Sequence, residues 1–129
     1  GGSVIAALTP DLRSYAEGNG GKEQMAIEAF SSALEVIPRT LAENAGLDPV
    51  NTIIDLRKAH SEGKSTHGVN VYKGGVVDMA KAKVYEPSRV VEQAIQSASE
   101  TAVMILRIDD VISSKGAGPM PEDFEGMDM

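Results

Sequence analysis

The sequence contains no cysteine, which excludes disulfides, thiolate metal centres and a cysteine nucleophile. It has no tryptophan and only three Tyr and two Phe, so aromatics make up 4% of the chain. Any core must therefore be built from Ala, Val, Ile, Leu and Met. The two histidines, His60 and His67, are too few for a His-rich zinc centre. No apolar run reaches about 18 residues, so no membrane-spanning helix is predicted. No basic stretch followed by an apolar one marks a secretory signal. Basic residues are outnumbered, 12 Lys and Arg against 19 Asp and Glu, giving a net charge of −7 and a pI near 4.7. No Lys/Arg cluster offsets that charge, so a nucleic-acid backbone is repelled. These absences lead us to expect a cytoplasmic protein with no nucleic-acid partner and no membrane partner.

What is present suits a folded domain. The chain has 129 residues, 42% of them hydrophobic and 24% charged. A chain of this length buries roughly two thirds of the surface it exposes when unfolded. Gly1-Gly2-Ser3 reads either as an added linker or as a Gly-rich turn. At the other end, residues 116–129 hold two Pro, three Gly and four acidic residues with no base. That segment carries four of the seven net negative charges and too little apolar surface to offset its ordering entropy. It is predicted to be a disordered, Met-containing acidic tail, which leaves residues 1–115 as the folded part.

Between these ends the pattern is mostly α with one small β-hairpin. A first helix is expected within residues 4–17, with Val4, Leu8, Leu12 and Tyr15 near one face. Pro10 is awkward inside it, and Thr9 reads locally as a cap for a helix starting at Pro10. Gly18-Asn19-Gly20-Gly21 is a break. A second helix should run from Lys22 to about Ile37, burying a stripe of Ile27, Phe30, Leu34 and Ile37. Pro38 then kinks or restarts it, and Gly46 stops it. Asp48-Pro49 opens a third helix that ends by Glu62-Gly63, with Ile53, Leu56 and His60 sharing a face. In residues 67–79, Val69, Val71, Val76 and Val77 flank Gly74-Gly75, which predicts a hairpin. The last helix should open at Glu86-Pro87 and fade near Ser113. Its stripe is Val91, Ile95, Ala98, Ala102, Ile105 and Ile112, with Asp109 on the same side.

The residues by themselves point to no active site. No P-loop signature is present. Gly18 to Gly21 reads as a helix–helix loop in preference to an anion cradle. Asp109 and Asp110 are adjacent on a helix and cannot clamp one cation together. Glu86, at a helix start after a β-like segment, suits either a ribose hydroxyl or the helix dipole. His60 and His67 flank a polar loop without a nucleophile pattern. No catalytic residue and no metal ligand is assigned.

Taken together, three stretches resemble group II chaperonins, the archaeal thermosome family and its eukaryotic cytosolic relatives. They are GGKEQMAIEAFSSALEVIPRTLAENAGLDP (20–49), GVN…GGVVDM…VYEP (68–87) and ETAVMILRIDDVISSK (100–115), and their order and spacing match as well. The resemblance covers essentially the whole chain. It implies the C-terminal half of the equatorial, ATP-binding domain, a mostly helical fold. It also implies an ATP-driven folding machine whose subunits assemble in a double ring and whose apical domain, absent here, binds unfolded client proteins.

By the same resemblance the cofactor is ATP or ADP with Mg²⁺, and the Mg²⁺ ligands fall outside these residues. Gly1 and Gly2 match the end of a Gly-rich turn near the nucleotide, which favours the turn over a linker. Gly68, Asn70 and Val71 match a hairpin segment on the adenine side. Val84 matches a contact to the base, and Glu86 matches a residue that hydrogen-bonds the ribose. The phosphate loop and the catalytic Asp residues of the family have no counterpart here, so this chain is not expected to hydrolyse ATP alone. The stretch around Val111 and Ile112 is expected to form a strand paired with another part of the subunit.

Three departures stand out: Ile5 where the family usually has Glu, Val91 where it usually has Lys, and Thr9-Pro10 in the first helix. They leave room for an alternative, a stand-alone helical interaction module without nucleotide chemistry.

Overall fold

A computed structural model describes residues 1–116 of the chain, and the side chains of Asp109, Asp110 and residues 113–116 lie outside what it describes. The expectations for Asp109 and for the acidic tail fall on those residues. The chain forms two units, Gly1–Tyr85 and the segment from Glu86 onward. As expected, the architecture is mostly helical with one small hairpin.

The first unit opens with α1, Ser3–Asn19, which runs unbroken through Pro10. This corrects the expectation of a helix redrawn at Thr9-Pro10. Pro10 has no N–H, so the Ala6 carbonyl loses its usual partner one turn back. The Thr9 hydroxyl donates to that carbonyl instead, at 3.4 Å, and Thr9 is itself buried. A buried face and a local substitute for the lost bond carry the helix through.

Gly20 (φ 65°) separates α1 from α2, Gly21–Leu34, and Glu35 separates α2 from α3, Val36–Asn44. The interruption thus precedes Pro38, which sits in the first turn of α3 where a missing N–H is tolerated. The predicted buried stripe of α2 is also corrected. Phe30 and Ile37 are 39% and 48% exposed, whereas Ser31 is fully buried. Here α1 packs along α2, and the fully buried positions are the small residues Ala16 and Ser31. Small side chains permit close helix approach, and bulky ones are left on the outer face.

Helix α4, Pro49–Ser61, follows its local signals closely. Asp48 Oδ1 accepts from the N–H groups of Val50 (2.9 Å) and Asn51 (3.0 Å), and Pro49 takes the first helical position. Ile53 and Leu56 are buried on the face predicted for them. The His60 Nε2–H donates to the His67 carbonyl at 2.7 Å, which ties the end of α4 to β1. Strands β1, His67–Val69, and β2, Val76–Asp78, pair antiparallel, with Gly68 opposite Val77.

The centre of this unit is Ala6, Ala42, Leu56 and Val69, with Leu41, Leu47 and Val76 packed around them. One ionic contact joins the helices. Glu35, 6% exposed, receives Arg13 from α1 at 2.8 Å and both Nε (3.0 Å) and NH2 (2.7 Å) of Arg57 from α4.

The second unit is described by α5, Ser88–Gly116, which opens one residue later than predicted. Ile105 and Ile112, on the predicted stripe, are 61% and 65% exposed. Val111 and Ile112 are helical, as the predicted extent of the last helix has them, and the strand pairing implied by the resemblance involves a partner outside this chain. Among the described residues no helix is long and apolar enough to cross a membrane.

Candidate functional site

The site begins with two glycines held against each other. Val69 N–H donates to the Gly1 carbonyl at 2.7 Å, so Gly1 lies along the outer edge of β1. A Cβ on Gly68 would stand 2.8 Å from that carbonyl oxygen, and a Cβ on Gly1 would stand 2.8 Å from the Val69 carbonyl oxygen. Only glycine fits at both places. Gly2 follows with φ 77° at the start of α1, and a Cβ there would lie 2.7 Å from Pro38 Cβ. Helix α1 has no acidic residue in its first turn and no side-chain cap, so its first N–H groups and the positive end of its dipole are available to negative charge.

The hairpin tip is fixed by Asn70. Its Oδ1 accepts from the N–H groups of Tyr72 (2.9 Å) and Lys73 (3.0 Å). Its backbone carbonyl accepts from Gly74 N–H at 2.9 Å, and its own N–H donates to the Gly75 carbonyl at 2.9 Å. The two backbone donors identify the oxygen of the carboxamide, which leaves Nδ2 with its two N–H donors. Asn70 therefore presents donors only to anything beside it.

The opposite wall is the turn after β2. Asp78 Oδ1 accepts from Thr66 Oγ1 (2.9 Å), Ala80 N–H (3.0 Å) and Lys81 N–H (3.3 Å). The Thr66 hydroxyl bond, helped by the two backbone N–H groups, holds the Asp78 carboxyl below the usual aspartate range. Val84 N–H closes the turn on the Met79 carbonyl at 3.0 Å.

These pieces enclose a cavity of about 500 Å³, a size suited to a small molecule. Gly1, Asn70, Val71 and Val84 line it, so the structure brings four of the seven sequence-predicted residues together. Gly2 and Gly68 are not in the lining but are adjacent in sequence to Gly1 and Val69, which are. Glu86 belongs to the second unit, where it is exposed in the irregular stretch before α5. Leu41, Val69, Tyr72, Lys73, Met79 and Ala82 also line the cavity and were not foreseen. Val69 and Tyr72 lie beside predicted residues and were within reach of the hairpin pattern. Leu41 comes from α3 and has no local signal. Among the described residues no three His, Asp or Glu side chains gather as metal ligands.

The lining is mostly aliphatic, with one carboxamide offering donors, the polar ends of Tyr72 and Lys73, and one glycine, Gly1, permitting close backbone approach. It suits a flat, weakly polar ring with an acceptor on its edge.

Residues 1–116 match the model of the TCP-1/cpn60 chaperonin family. The chain is 55% identical to the thermosome subunit beta of Thermoplasma acidophilum over 115 residues, which is 89% of this chain and 21% of that protein. It is 56% identical to the thermosome subunit alpha of Archaeoglobus fulgidus, over 90% of this chain and 21% of that one. The open-state monomer of a group II chaperonin from Methanococcoides burtonii superposes with a TM-score of 0.80 at 50% identity, over 83% of this chain and 27% of that one. The chain thus spans about a fifth of the length of these curated relatives.

Proposed function

The chain belongs to the TCP-1/cpn60 chaperonin family, and from that premise we propose that it supplies the base-and-ribose side of an ATP site in an ATP-driven protein-folding machine. Its fold is that of a chaperonin equatorial-domain segment. The observation that carries the proposal is the cavity at the hairpin, where Gly1, Asn70, Val71 and Val84 meet.

In this reading Val71 and Val84 cover the base and Asn70 Nδ2 donates to an acceptor on its edge. Glu86 accepts from the ribose hydroxyls. Gly1 and Gly2 bring backbone close to the phosphates, and the uncapped start of α1 favours their negative charge. When bound, ATP supplies the phosphoanhydride whose hydrolysis drives the machine. The residues described here bind and orient, and the groups that position water and Mg²⁺ belong to other parts of the subunit. Ring partners, unfolded clients and a cytoplasmic setting come with the same reading.

Calorimetric titration of ATP into the complete subunit tests it. Wild type should bind, and Glu86→Ala should weaken binding about ten-fold, in line with losing a charged hydrogen bond. Unchanged affinity in that variant removes Glu86 from the site, and failure of the wild type to bind overturns the reading.

A further inference from the structure

Glu35 is only 6% exposed, and this chain's own residues already enclose its carboxylate. Arg13 NH2 donates to Oε1 at 2.8 Å. Arg57 spans both oxygens, with NH2 at 2.7 Å from each and Nε at 3.0 Å from Oε2. A buried ion pair is often matched in stability by apolar groups of the same size, so its use here asks for a reason besides stability. The place itself is mechanically weak. Pro38 has no N–H, so the Leu34 carbonyl lacks the bond that would run α2 into α3. The backbone of Glu35 belongs to both helices. Its N–H donates to the Ser31 carbonyl at 3.3 Å, and its carbonyl accepts from Arg39 N–H at 3.2 Å.

The cavity lies one and two turns beyond this joint. Pro38 and Leu41 follow Glu35 along α3 at intervals of three, the spacing of neighbours on a helix surface. Pro38 is fully buried and packs so closely on Gly2 that a Cβ there would come within 2.7 Å of its own. Leu41 lines the cavity. From the other side, His60, three residues beyond Arg57 on α4, holds the His67 carbonyl of β1 at 2.7 Å. We propose that Glu35 is a positioning residue for the nucleotide site. Clamped by Arg13 and Arg57, its carboxylate fixes the angle between α2 and α3, and so sets Pro38 against Gly2 and Leu41 in the cavity wall. This rests on the nucleotide reading above.

The test is calorimetric titration of ATP into the complete subunit carrying this chain, well below the melting temperature of every variant. Glu35→Gln keeps the shape and removes the charge. It should weaken ATP binding about five-fold, within the range of couplings carried through packed elements. Arg57→Ala leaves Arg13 in place and should weaken binding in the same direction. Asp48→Ala is the comparison, since it uncaps α4 without touching Glu35. It should lower the melting temperature yet leave ATP affinity at the wild-type level. Unchanged ATP affinity in either Glu35→Gln or Arg57→Ala overturns the inference while leaving the nucleotide reading standing. An equal loss of affinity in Asp48→Ala also overturns it, because any loss of stability would then suffice. A wild type that binds no ATP removes both readings together.

Discussion

Replacing Gly68 by Ala sets two opposing effects against each other. The residue lies in β1, where alanine is conformationally permitted, so the unfolded chain loses freedom and the protein gains about 0.4–1 kcal/mol. Against this, the new Cβ would stand 2.8 Å from the Gly1 carbonyl oxygen, 2.9 Å from Met79 Cγ and 3.1 Å from the Gly1 carbonyl carbon. The methionine can move, but the backbone of Gly1 can yield only by leaving β1. That breaks its 2.7 Å bond with the N–H of Val69, a residue only 1% exposed. A buried donor left without a partner costs about 1–3 kcal/mol. The net loss is about 1–2 kcal/mol, or about 5–15 °C in the melting temperature of a unit this size. Thermal unfolding followed by far-ultraviolet circular dichroism measures it. Gly18→Ala is the control, since it lies inside α1 with nothing within 4 Å of its Cβ. It should raise stability by about 0.5–1 kcal/mol. A Gly68→Ala protein that melts at or above the wild-type temperature would refute the close approach of Gly1 to β1.

Three further outcomes follow from the geometry. Glu35→Ala should cost about 2–3 kcal/mol by denaturant titration. The loss is held to that range because Arg13 and Arg57 are 46% exposed and can return to water. Arg57→Ala should cost more than Arg13→Ala because its two nitrogens grip the carboxylate. Asn70→Asp keeps the Oδ1 acceptor and should preserve the melting temperature while lowering ATP affinity. Asn70→Ala should lower both, and calorimetry beside thermal melts separates the two. Asp78, whose carboxyl is held low chiefly by the Thr66 hydroxyl, stabilises the fold above the ordinary aspartate range, and the contribution is lost as pH falls below about 4. Asp78→Asn should therefore flatten the dependence of melting temperature on pH between about 5 and 2.5.

Elements with local signals were readable in advance. Asp48-Pro49 states both the cap and the first turn of α4, and Gly74-Gly75 between valines states the hairpin. The path of α1 through Pro10 was not readable, because it depends on a hydroxyl from Thr9 and on burial against other elements. Periodicity marked Phe30 and Ile37 as an apolar face but could not say which face of α2 meets α1, a choice made by the small residues Ala16 and Ser31. The candidate site was reached through resemblance, not through chemistry written in the residues. Gly1, Asn70, Val71 and Val84 are unremarkable as residue types, and only folding brings them to one cavity. Asn70 as a donor-only group depends on how the turn closes.

Glu35 stands where α2 gives way to α3, and it is gripped from α1 and from α4. A single carboxylate is thus shared by elements far apart in the chain. None of them can swing away without breaking the same set of bonds. Local opening of the kind that lets one helix exchange its amide hydrogens ahead of its neighbours is suppressed around such a joint. The slowest-exchanging amides of α1, α3 and α4 should then open together, as one cooperative block.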